Sequence, residues 1–324
     1  MRVIAIEEHF ITPMYREKVG ANEFRKFYLK SRSQQLGHAI FEENLDLGKS
    51  RLAHMDAAGI DMQVLSFGSP GPQAFGAEVA VPMARDANDL LFETQKKYPD
   101  RFAGFAALAT AEPKTAAEEL ERCVKKLGFK GAMIHGHQQG KFLDEKKYWP
   151  IFERAAALDV PVYLHPTVPH PDAMKSYFQG YEELARAGWG FAVDTSCHFL
   201  RLVFAGLFDA YPRLQIILGH LGEGLPFAMH RLDDHTAAAA ARRGLKRRPL
   251  DYLKENLLVT TSGNWYEPAF QCTLAALGVD RILFAVNWPY EANRTGVEFL
   301  KKISVGDSDR AKIAHRNAEY WLKL

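Results

Sequence analysis

Val3-Ile4-Ala5-Ile6-Glu7-Glu8-His9 opens the chain, four apolar residues running directly into two carboxylates and an imidazole. A short, continuously apolar run reads as a strand buried on both faces, as in a parallel sheet covered by helices. The residues just after this run separate the two common parallel architectures. A doubly wound sheet often places a glycine-rich phosphate loop after its first strand. Acids and a histidine stand there instead, which suits a closed α/β barrel, whose reactive groups occupy the carboxyl ends of the strands.

Seven further runs predict strands: Met62–Ser66, Gly104–Leu108, Gly131–His135, Val162–His165, Leu214–Leu218, Leu257–Thr260 and Ile282–Val286. Met62–Ser66 is the weakest, because Gln63 interrupts it. Helical stretches such as Glu78–Lys97 and Thr115–Leu127 lie between them, and Thr115-Ala-Ala-Glu118 fits a capping box. Eight strands in βα alternation predict a (β/α)8 TIM barrel of class α/β. The 324 residues suit one barrel domain, 1–324, with the largest insertions at about 12–47 and 167–194. Aromatic residues in these insertions (Phe24, Phe27, Tyr28, Tyr177, Phe178, Trp189, Phe191) either cap a barrel mouth or serve as satellite core or oligomer contacts.

Apolar residues make up 47% and charged residues 25%, the balance of a globular protein with a large core. A net charge of +2 gives no reason to expect a nucleic acid or a membrane as partner. No segment approaches the roughly 20 apolar residues of a membrane span. Cys123, Cys197 and Cys272 are far apart and odd in number, so free thiols are expected, and a cytoplasmic location with them.

Several strand ends carry metal-ligand residue types: Glu7-Glu8-His9 on the first, His165 on the fifth, His220 on the sixth and Asn287 on the eighth. Side chains alternate along a strand, so Glu7 and His9 share a face and Glu8 takes the other. If Glu7 and His9 face the barrel mouth, they share one cation with His165, and carboxylate with imidazole suits Zn²⁺ or Mn²⁺.

These residues carry a resemblance to the hydroxybenzoate decarboxylase branch of the amidohydrolase superfamily. It lies in Ile6-Glu7-Glu8-His9-Phe10, Tyr163-Leu164-His165-Pro166, the run Ile217-Leu218-Gly219-His220-Leu221-Gly222-Glu223-Gly224-Leu225-Pro226, Thr260-Thr261-Ser262-Gly263-Asn264, and Ile282 through Glu291. The first-strand Glu-Glu-His is most similar to γ-resorcylate decarboxylases. The resemblance implies a barrel of amidohydrolase type, one divalent metal (Zn or Mn), a small aromatic carboxylic acid as substrate, and a homo-oligomer, tetramer or dimer. Carried over by position, it implies Glu7, His9 and His165 as metal ligands and His220 with Glu223 as an acid/base pair. Arg231 matches an arginine near the substrate, and Phe191 is expected to line the pocket. Position 287 matches an aspartate that completes the metal site and donates the proton to the ring. Asn287 binds metal weakly through its amide oxygen and transfers no proton at neutral pH. It is either an engineered exchange or a natural loss of the acid, and both imply reduced activity.

A metal-dependent hydrolase of a lactone or amide is the alternative on the same barrel, and a silent ligand-binding scaffold is the third reading. His135-Gly136-His137 is expected to line the pocket or form a turn, and His198 to be a packing histidine. Cys197 is expected to be buried, and the basic run from Arg242 to Arg248 to be a solvated loop. A salt bridge from Arg231 to Asp233 or Asp234 is the structural alternative to its substrate role.

Overall fold

The computed structural model describes residues 1–19 and 23–324, apart from the side chains of residues 23–25 and 27, so Phe24 and Phe27 lie outside the described side chains. The barrel strands are β1 (Ile4–Phe10), β2 (Met62–Phe67), β3 in two pieces (Phe102–Gly104 and Ala106–Ala107), β4 (Ala132–His135), β5 (Val162–His165), β6 (Ile216–Leu218), β7 (Leu257–Thr260) and β8 (Ile282–Leu283). Each pairs in parallel with the next. The Phe105 N–H donates to Leu65 O across the break in β3, and the Ile6 N–H donates to Phe284 O, closing the ring between β8 and β1. The fold is a TIM barrel, as the alternation predicts.

Two apolar layers follow from strand alternation. Ile4, Ile6, Val64, Phe105, Met133, Tyr163, Ile217 and Leu258 fill the barrel. Ala5, Leu65, Leu164, Leu218 and Val259 face outward under the helices. Strict alternation from Ile4 and Ile6 would turn Glu8 inward and Glu7 outward. A register shift between Ala5 and Glu8 prevents this. Ala5 pairs with Gln63 and Glu8 with Leu65, so Ile6 and Glu7 together oppose Val64, and both turn inward. A bulge of this kind re-aims side chains at a barrel rim. His9, paired with Ser66, therefore joins Glu7 at the mouth, and Glu8 points into the seam between strands and helices.

The expected eighth strand through Val286 ends its ladder at Leu283. Beyond it, side chains take over the backbone donors: the Ala285 N–H bonds Thr261 Oγ1, and the Val286 and Trp288 N–H groups bond the Glu8 carboxylate. The expected capping box at Thr115 is not formed. The helix begins two residues earlier, at Pro113, because proline suits the first helical turn, where its missing N–H is no loss. Cys197 is exposed rather than buried. Its helix, Gly190–Phe204, turns Asp194, Thr195, His198 and Phe199 inward, and residue 197 falls on the outer face. His198 is a packing histidine: its Nε2 accepts the Leu143 N–H at 2.9 Å, and burial pushes its pKa down to about 3. No helix among the described residues is long and apolar enough to cross a membrane.

Candidate metal centre and active site

The ligand atoms of Glu7, His9 and His165 lie within 4.8 Å of one another at the barrel mouth. Glu7 Oε1 is 3.3 Å from His165 Nε2 and 3.6 Å from His220 Nε2. Both Glu7 Oε1 and His165 Nε2 are buried without a hydrogen-bond partner. Buried polar atoms are paired as a rule, and two orphans facing one another mark a place made for something else.

The neighbouring hydrogen bonds explain why these atoms stand ready. Glu7 Oε2 accepts from Thr260 Oγ1 at 3.0 Å and from the hydroxyls of Tyr163 and Ser262. Three donors on Oε2 leave Oε1 for the site. His165 Nδ1 donates to Pro166 O at 2.7 Å and lies 3.1 Å from His135 Nδ1, while His135 Nε2 donates to Phe67 O at 2.6 Å. These carbonyls assign the tautomers, so the His165 lone pair sits on Nε2. Ser66 Oγ donates to Glu8 O and accepts from His9 Nδ1 at 3.1 Å, which turns His9 Nε2 toward the cluster. Burial alone would raise the Glu7 pKa. The charge of His220 and the close approach of His165 more than offset it and hold the carboxyl well below the usual range. One ionised carboxylate and two imidazole lone pairs on one point fit Zn²⁺ or Mn²⁺.

Beside this cluster, His220 Nδ1 donates to Glu223 Oε1 at 2.7 Å, and its Nε2 is 3.3 Å from Asn287 Nδ2. Burial lowers the His220 pKa, but Glu223 and Glu7 outweigh burial and raise it to about 9. His220, Glu223 and Asn287 all have positive φ (54°, 54° and 79°), strain of the kind that gathers at functional sites. Gly219 leaves room for this network: a Cβ there would sit 3.0 Å from Glu7 Oε2 and 3.1 Å from the Tyr163 hydroxyl and would crowd both.

A cavity of about 80 Å³ opens above the cluster, with His165, His220 and Asn287 at its floor. Tyr28, Pro70, Val168, Phe191 and Tyr290 supply its apolar walls, and Ser69 and Thr167 its hydroxyls. Such walls suit a flat, ring-sized ligand. Arg231, expected beside the substrate, is exposed and is not among the residues lining this cavity. On the helix Leu225–Arg242 the buried face runs through Leu225, Met229 and Asp233, and residue 231 points away from it. The alternative bridge to Asp233 or Asp234 is not made either, and the Asp233 carboxylate is taken by Arg248 and the Leu250 N–H.

A profile of the amidohydrolase family matches residues 30–324. The chain belongs to the amidohydrolase family. It is 40% identical over 330 residues to a γ-resorcylate decarboxylase of Polaromonas sp. strain JS666, covering 99% of this chain and 98% of that one. Among solved structures, a dihydroxybenzoic acid decarboxylase of the same Polaromonas strain, with bound manganese and the inhibitor 2-nitroresorcinol, superposes with a TM-score of 0.91. The identity is 39%, over 100% of this chain and 97% of that one. A 2,6-dihydroxybenzoate decarboxylase complexed with 2,6-dihydroxybenzoate gives a TM-score of 0.89 at 38% identity, over 100% of both chains.

In this amidohydrolase the structure brings Glu7, His9, His165, His220, Glu223, Phe191 and Asn287 to one mouth and leaves Arg231 outside it. Sequence reasoning missed Tyr163, Thr260 and Ser262 around Glu7, and the part of His135 in orienting His165. A signal was present for three of them. Tyr163 precedes His165 by two residues, as Thr260 precedes Ser262, and period two puts each pair on one face. Tyr28, one of the insertion aromatics weighed as caps of the mouth, does line the cavity, whereas Tyr290 comes from a remote segment that no local spacing announces.

Proposed function

We propose that this amidohydrolase is a divalent-metal-dependent, non-oxidative decarboxylase of aromatic acids with a hydroxyl ortho to the carboxylate, attenuated by Asn287. Its substrate class is that of 2,6-dihydroxybenzoate. The carrying observation is the Glu7–His9–His165 donor set under a ring-sized cavity, with His220–Glu223 and residue 287 alongside. Manganese, present in the solved Polaromonas relative, is the leading metal and zinc the second.

Glu7, His9 and His165 would hold the ion, and Mn²⁺ or Zn²⁺ bound there would supply Lewis acidity beside the substrate. Tyr163, Thr260 and Ser262 fix the Glu7 carboxylate, while Phe191 and Tyr290 confine the ring and exclude water. Direct loss of CO₂ would leave an aryl carbanion. Protonation of the carboxylated carbon comes first: a C–H bond forms there, the C–C bond then breaks to release CO₂, and the ring regains aromaticity. With an aspartate at 287 that side chain delivers the proton, and His220, held by Glu223, returns it. A carboxamide delivers none, and one positioned acid is worth about 10²–10⁴ in rate.

The three separate free thiols support a cytoplasmic protein. The exposed Tyr177, Tyr181 and Trp189 of the second insertion support a homo-oligomer, dimer or tetramer, of one barrel domain per chain. The test compares this chain with Asn287→Asp, both replete with Mn²⁺, by absorbance loss of 2,6-dihydroxybenzoate, 2,3-dihydroxybenzoate and salicylate. Strong turnover only after Asn287→Asp is the expected result. No turnover of any of the three by the metal-replete Asn287→Asp chain sinks the reading.

A further inference from the structure

Glu8 lies between two residues of the metal cluster, and its side chain is turned away from them. It is fully buried on β1, on the outward face that the bulge assigns it. Its carboxylate meets no substrate cavity. Oε1 accepts the Val286 N–H at 2.8 Å, and Oε2 accepts the Trp288 N–H at 2.9 Å. The Trp288 N–H belongs to the peptide bond that follows residue 287, and the Val286 N–H to the bond joining residues 285 and 286. The β8 ladder has already ended at Leu283, so a side chain grips the chain here, where a neighbouring strand would otherwise do so. One backbone bond, from the His9 N–H to Trp288 O at 2.7 Å, completes the grip. Arg51, also fully buried, anchors the same stretch from below, with its Nη2 on His9 O at 2.6 Å and its Nη1 on Gln63 Oε1 at 3.3 Å.

The consequence concerns residue 287. Its φ of 79° is one that a chain leaving a parallel ladder does not adopt by default. A carboxylate holding the amides of residues 286 and 288 fixes the peptide plane that follows residue 287 and the plane that enters Val286, and so narrows the direction of the side chain between them. We propose that Glu8 is a positioning residue that aims side chain 287 at the metal cluster and at His220, without touching metal or substrate. This rests on the reading of Glu7, His9 and His165 as a metal site. Glutamine in its place keeps the shape but presents an NH₂ to one of the two backbone donors, which loosens one end of the grip.

The experiment is a double-mutant cycle read by Mn²⁺ affinity, measured by isothermal titration on the full chain. Asn287→Asp replaces a neutral donor with a charged one and tightens Mn²⁺ binding by about tenfold or more when residue 287 is aimed at the ion. In the Glu8→Gln background the same exchange gains about threefold or less. A role confined to holding the fold together would shift the unfolding temperature and leave the response at 287 intact. Glu8→Asp, which keeps a carboxyl group but is one methylene short, serves as the second variant should Glu8→Gln not fold. It too loses the response at 287. Retention of the full Asn287→Asp gain in either folded Glu8 variant overturns the proposal, as does an Asn287→Asp exchange that changes Mn²⁺ affinity in no background. A parent chain that binds no Mn²⁺ sinks the metal reading itself, and this inference with it.

Discussion

Tyr163→Phe tests whether the hydroxyls behind Glu7 matter to the metal site. Tyr163 lies on β5, two residues from His165, with its ring inside the barrel and its hydroxyl on Glu7 Oε2. Phenylalanine fills the same space, so the exchange deletes one donor and creates almost no cavity. A hydrogen bond to a charged group contributes about 1.5–3 kcal/mol, which is roughly 10- to 150-fold in an equilibrium constant. Outer-shell partners of metal ligands, taken separately, are worth about 10- to 100-fold in affinity. Thr260 and Ser262 still hold Oε2, so the lower part of both ranges applies. Titration of Mn²⁺ at pH 7 is expected to give a dissociation constant raised by about tenfold, with the unfolding temperature nearly unchanged. A Tyr163→Phe protein that is folded and binds Mn²⁺ within about twofold of the parent would refute the claim that Oε2 is saturated in order to present Oε1.

Removing metal with a chelator is expected to lower stability, and restoring Mn²⁺ at about 100 times its dissociation constant to return roughly 2.7 kcal/mol, read by denaturant unfolding. An unchanged midpoint argues against a folded-state site. The metal-free protein carries two opposite pH dependences. The lowered Glu7 pKa contributes stability that is present above its ordinary value of 4.5 and lost as the solution is acidified below it. The raised His220 pKa contributes stability that is full below 6.5 and lost as pH climbs through about 9. Unfolding temperatures from pH 6 to 10 are expected to fall on the alkaline side, and His220→Gln to flatten that limb; an identical limb in the variant assigns it elsewhere. Phe191→Ala in the Asn287→Asp background removes part of one cavity wall and is expected to raise KM about fivefold with kcat little changed, since a half-buried ring is worth about 1 kcal/mol. A selective loss of kcat would instead place Phe191 in alignment of the reacting carbon.

The alternation of apolar runs with amphipathic stretches was enough for the barrel, because strands buried on both faces must be continuously apolar and helices must show a stripe. Strand-end chemistry was legible for the same reason: Glu7, His9, His165 and His220 each sit where a short apolar run stops. The limits of local reading were also physical. Arg231 has a neighbour pattern fit for a site, yet helix rotation carries it to solvent. Cys197 falls outside for the same reason.

Strand periodicity, which is written in the sequence, sets which residue types reach the barrel mouth and puts Glu7 and His9 on one face. Which face that is was decided in three dimensions. Strict alternation from Ile4 and Ile6 would have sent Glu8 to the centre. The extra residue opposite Val64 reverses the parity, and that bulge is stable only because β2 and β8 are there to pair with it. The surroundings of residue 287 likewise depend on tertiary contact: its carbonyl is held locally by the Tyr290 and Glu291 N–H groups, but the amides of residues 286 and 288 are bonded by Glu8, at the opposite end of the chain. Short-range pattern runs along one strand, whereas aim depends on partners that only the closed barrel brings together.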